Sequence, residues 1–170
     1  MTLAAPRRIG MALAVALAAA ACGRADASSA PRMEGAYPSA EALVEAALDA
    51  VARKDTAKLK SLLVTRDEHR DLLWPSLPES EDLTFEYARL LNEHNTGKAM
   101  RRALERYGGE KFKFEKIEYT DGTETYPGFE LHLGARLTVV RESDGAEGEL
   151  ALLDVLVERP EGWKLLNYDE

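Results

Sequence analysis

The chain has 170 residues, a single cysteine and a formal net charge of −8. Such an acid surplus argues against a nucleic-acid partner, which calls for a Lys/Arg stripe. With one cysteine there is no disulfide within the chain, so an apolar core must hold the fold.

Arg7 and Arg8 precede Ile9 to Ala21, an apolar run without a charge. A basic start, an apolar middle and small residues before a cut site make a secretory signal peptide. The run is too short to span a bilayer, which takes about 20 apolar residues. Ala20-Ala21-Cys22-Gly23 resembles the lipobox of bacterial lipoproteins. That resemblance implies cleavage after residue 21, a diacylglycerol on the Cys22 sulfur and an acylated new amine, so the membrane is met through lipid on Cys22. Two or more acyl chains give lasting anchorage where one gives little. It further implies a cell-envelope location and, in a Gram-negative host, an outer-membrane protein facing the periplasm. Losing Arg7 and Arg8 with the signal moves the charge from −8 to −10.

Residues 22–38 are small, polar and spotted with Pro and Gly, the composition of a flexible tether. One domain, residues 39–170, follows. Ser39 starts a helix whose stripe is Leu43, Val44, Ala47, Leu48 and Val51. Asp55 caps a second, short helix through Leu59, Leu62 and Leu63. Thr65 and Glu68 have the spacing of a capping box and open a turn that Pro75 and Pro78 end. The longest helical stretch runs from Ser80 to Tyr107. Its stripe comprises Leu83, Tyr87, Leu90, Leu91, Ala99, Met100, Ala103, Leu104 and Tyr107, and Asn95-Thr96-Gly97 predicts a kink or break.

After Gly108-Gly109 the apolar period changes to two. Strands are expected at Lys111–Tyr119, with a bulge, and at Phe129–Arg141. The latter puts Phe129, Leu131, Leu133, Leu137 and Val139 on one face, with Glu130, His132, Arg136 and Thr138 opposite. Asp144-Gly145 is a hairpin signal. Glu149–Glu158 is apolar on both faces and reads as a central strand. Pro160-Glu161-Gly162 leads into a last strand, Trp163–Tyr168. Helices followed by four turn-linked strands predict an α+β domain with N-terminal helices on a curved four-stranded antiparallel sheet. This order, with the ending Gly162-Trp163-Lys164-Leu165, resembles the NTF2-like (cystatin-like cone) superfamily over roughly residues 39–169. The resemblance implies a cone whose sheet wraps the long helix, and in its enzymes a polar group inside that cone.

Asp154 is the weak catalytic candidate, a carboxylate in an otherwise apolar strand where burial would raise its pKa. Its plain alternative is an outward-facing residue or a partner of an arginine such as Arg136. His132 reads as part of a solvated strand face, and His69 and His94 as surface helix positions. No His-Glu-x-x-His, no paired histidines at ligand spacing and no second cysteine occur, so no metal site is expected. Phosphate-cradle and nucleophile-elbow motifs are absent too, and no cofactor is expected. Tyr87, Tyr107, Tyr119, Tyr126, Trp74 and Trp163 either line a pocket for a small apolar ligand or belong to the core. Three roles follow: a non-catalytic envelope module that binds a ligand or an envelope protein, a small enzyme of isomerase, dehydratase or hydrolase type using Asp154, or an assembly subunit.

Overall fold

The structure, a computed structural model, describes residues 31–169. The expected signal peptide (1–21), Cys22 and the first half of the tether lie outside the described residues. Four helices precede five strands: α1 (Ala40–Arg53), α2 (Thr56–Ser61), a single turn α3 (Arg66–Glu68) and α4 (Phe85–Tyr107), then β1 (Phe112–Tyr126), β2 (Phe129–Arg141), β3 (Glu147–Leu150), β4 (Leu153–Arg159) and β5 (Gly162–Tyr168). The fold is therefore α+β, with one antiparallel sheet. Its order is β1-β2-β4-β5, and β3 pairs with the far half of β2. The expected strand at 149–158 is thus two strands separated at Ala151-Leu152, and the sheet has five strands rather than four.

The local start signals work as their chemistry demands. Ser39 Oγ accepts from the Ala42 N–H, and Asp55 accepts from the Lys58 N–H. The Thr65 hydroxyl accepts from the Glu68 N–H while the Glu68 carboxylate accepts from the Thr65 N–H, a complete capping box.

α4 departs from expectation in two ways. It begins at Phe85, capped by the Thr84 hydroxyl, because Pro78 opens a separate 3-10 turn over Pro78–Glu81. It also runs unbroken through Gly97, whose surroundings are open space. Thr96, Ala99, Met100 and Ala103 are buried and hold its second half. An unbroken helix turns 100° per residue, so the nine residues from Leu90 to Ala99 amount to two and a half turns. The apolar stripe accordingly splits into two half-stripes on opposite sides. One is core. The other, Tyr87, Leu90 and Leu91 with Leu83 just ahead of the helix, is 53%, 63%, 45% and 40% exposed.

A second correction arises in β2. Ala135, Leu137 and Val139 belong to the main apolar cluster with α1, α2 and α4, whereas Phe129 and Leu131 belong to a smaller one with Met33, Val64, Leu73 and Leu77. Strict alternation would put all five on one side. The parity shifts at Gly134, left-handed at φ 66°, where the register passes from Tyr119↔Ala135 to Gly122↔Leu133. A Cβ at Gly134 would stand 2.5 Å from Thr120 Oγ1 and 2.6 Å from Asp121 Oδ2, so any other residue must displace those side chains as well as adopt a left-handed backbone. In consequence His132 turns to the helix side of the sheet.

The last part of the expected tether is docked. The Met33 side chain is buried in the smaller cluster, the Glu34 N–H donates to Glu68 Oε1 at 2.7 Å, and Tyr37 bridges to Trp163. Composition alone reads this stretch as solvated because Met33 and Tyr37 form no periodic apolar pattern.

Candidate functional site

Three places in the described domain carry chemistry beyond simple packing. The first lies on one sheet face where β1, β2, β4 and β5 run side by side. Register aligns Thr123 with His132, Glu130 with Glu158, and Glu158 with Trp163. His132 is 8% exposed, its ring stacked on Trp163 at 4.6 Å and tilted against Tyr119 at 4.8 Å. Its Nδ1 lies 3.1 Å from Thr123 Oγ1, and its Nε2 lies 3.0 Å from Glu158 Oε2 and 4.0 Å from Glu130 Oε2. The expectation of a solvated strand face is overturned for His132 by the Gly134 parity shift. Burial, helped by the negative charge of Glu41 and Glu158, pushes the Tyr119 phenol up to about 12. The two glutamates border a shallow, solvent-open depression of about 330 Å³ with Tyr126 and Arg159.

The second place is a cleft of about 400 Å³ between the α2–α3 connection, α4 and β5. Leu63, Val64, Met100 and Leu166 form its apolar wall, and Lys60, Arg89 and Asn92 its polar rim. Arg89 is bound to Glu93 at 2.7 Å. This volume suits a small ligand.

The third place surrounds Asp154. Its carboxylate is half-buried and accepts from Asn167 Nδ2 at 2.7 Å. Burial raises its pKa; the Asn167 bond opposes that, Asp169 and Asp121 add to it, and Arg136 lowers it. Arg136 bonds Asp169 at 2.6 Å rather than Asp154. Asp154 lines neither the cleft nor the depression described above.

His94 is exposed, as expected, but His69 is buried beneath Trp74 and Phe85, with ring centroids at 6.2 and 5.4 Å. Sequence neighbours mislead here: Glu68 and Arg70 flank His69, yet the chain widens into a π-helical turn over His69–Leu73, and the ring is buried. Of the candidate aromatics, Tyr107, Tyr119 and Trp163 pack on the main cluster and Trp74 and Tyr126 on the smaller one; Tyr87 is exposed. Glu158 and Lys164 carry no signal in the sequence beyond being charges within apolar strands.

No family model, no curated protein and no solved structure matches the chain. No helix among the described residues is long and apolar enough to cross a membrane.

Proposed function

We propose that this chain is a lipid-anchored protein of the bacterial cell envelope, held through Cys22, whose domain is a non-catalytic binding module. The observation that carries the binding role is the half-stripe Leu83, Tyr87, Leu90 and Leu91. Scattered exposed leucines are ordinary, but Tyr87, Leu90 and Leu91 on one face of α4, with Leu83 just ahead of its cap, mark a surface that meets a partner. The domain's acidity argues against an anionic lipid surface as that partner. An apolar groove on another envelope protein is the occupant, and Tyr87, Leu90 and Leu91 supply helical anchors at i, i+3 and i+4. Helices that precede a bulged antiparallel sheet and pack on it support an NTF2-like cone for the module.

The test is a photo-reactive residue at Tyr87 in the full chain, expressed in its own host. A single envelope protein cross-links, and Leu90→Glu with Leu91→Glu abolishes that product. The double variant shifts stability by less than about 1 kcal/mol, because Leu90 is mostly and Leu91 nearly half in water. Cys22→Ser releases the chain from the membrane fraction. Cross-linking that survives both glutamates rules out the half-stripe, and membrane retention of Cys22→Ser rules out the anchor. A small molecule recovered from the cleft, with no cross-link, transfers the binding role from α4 to the cleft.

A further inference from the structure

The geometry assigns a divalent transition-metal site to His132 Nε2 and one carboxylate oxygen each from Glu130 and Glu158. The ligand atoms of these three residues all lie within 4.8 Å of one another. Donors about 2.1 Å from a tetrahedral zinc stand about 3.4 Å apart. The 3.0 Å and 4.0 Å separations from Nε2 bracket that value, and both glutamates are about two-fifths exposed and free to adjust.

Three further features fit a metal better than a plain hydrogen-bonded histidine. Glu130 and Glu158 face each other directly across β2 and β4, an opposition of like charges that a sheet disfavours unless a cation lies between them. The cation bordering the same depression, Arg159, has its Nε on Glu161 at 3.2 Å. His132 is already oriented as a ligand. Tyr119 and Trp163 clamp its ring, and with metal on Nε2 its Nδ1–H donates to Thr123 Oγ1, the outer-shell bond that metal-bound histidines usually make. The depression gives the ion a way in and room for water on its remaining positions. One imidazole and two carboxylates form a borderline set suited to zinc and its neighbours. This site is independent of the α4 surface and of the anchor.

The test is Zn²⁺ titration of the chelator-treated full chain by calorimetry, in a Cys22→Ser background that removes the thiol. One zinc binds per chain, affinity falls at least tenfold in Glu130→Gln and in Glu158→Gln, and Thr123→Val lowers it about 10- to 100-fold through the histidine. Absence of saturable binding, or affinity unmoved by both Gln variants, overturns the assignment. Trp74→Phe leaves Trp163 as the sole tryptophan of a chain that keeps both glutamates. Paramagnetic Co²⁺ quenches Trp163 in that chain if the site is real, and an unquenched Trp163 overturns it even should a Gln variant unfold.

Discussion

Lys164→Met is expected to cost about 3–5 kcal/mol of folding stability at neutral pH, the usual penalty for stranding one partner of a buried ion pair. Lys164 Nζ sits 2.9 Å from both oxygens of Glu68, and the two side chains are 4% and 8% exposed. The carboxylate has other obligations. Oε2 accepts from the Thr65 N–H at 2.8 Å and Oε1 from the Glu34 N–H at 2.7 Å. Burial alone would raise the Glu68 pKa, but the Lys164 ammonium and those two backbone donors together hold it below the usual carboxylate value. One side chain therefore ties β5, the α3 turn and the segment entering α1 into a single unit.

A double-mutant cycle in urea tests this. Glu68→Leu alone leaves the ammonium buried and removes two backbone acceptors, so it should match or exceed Lys164→Met. Glu68→Leu with Lys164→Met removes both charges and should recover part of the loss, but not the part owed to the unsatisfied N–H groups of Thr65 and Glu34, about 1 kcal/mol each. A double variant as unstable as the sum of the singles would mean that the pair is not coupled, and that its members matter only as packing.

The capping box at Thr65 and Glu68 was legible in the sequence because it is a local pattern of four residues. Lys164 lies 96 positions away, and nothing local marks it as the partner. The same division runs through the whole fold. Ser39, Asp55 and Asp144-Gly145 announce themselves because capping and turn chemistry act over three or four residues. Alternation in β2 is also local, yet it fails at Gly134, since the left-handed glycine that shifts the parity is set by Thr120 and Asp121 across the ladder. His132 consequently reads as solvated when it is clamped between two rings. In α4 the error has another origin. Asn95-Thr96-Gly97 has the composition of a break, and burial of Thr96, Ala99, Met100 and Ala103 overrides that propensity. The half-stripe becomes visible only once the helix is known to be continuous. Asp154 stands out in the sequence as an acid in an apolar strand, but its partner Asn167 reaches it from the neighbouring strand and no local pattern announces that pairing.

Acidification should unfold the protein in two distinguishable stages, the first governed by His69. Burial beneath Trp74 and Phe85, with the nearby Arg89 guanidinium adding to it, pushes the imidazole from its ordinary 6.5 down to about 4. Its Nδ1 is buried without a hydrogen-bond partner, so nothing in the fold rewards protonation. Between those two values the unfolded chain binds a proton that the folded chain refuses. Stability is therefore full above pH 6.5 and declines as pH falls towards 4, by about 3 kcal/mol from this residue. Glu68 acts lower. Its folded pKa is depressed, so its contribution is present above the ordinary value of 4.5 and is lost as pH falls through the folded value. Urea midpoints measured from pH 7.5 to 4 separate the two. His69→Phe keeps the edge contacts to both rings and should flatten the curve between 6.5 and about 4.5 while leaving the drop below it. A wild-type curve already flat over that upper range would show that His69 reaches water or a proton acceptor in the folded state, and the burial of the π-helical turn would have to be redrawn.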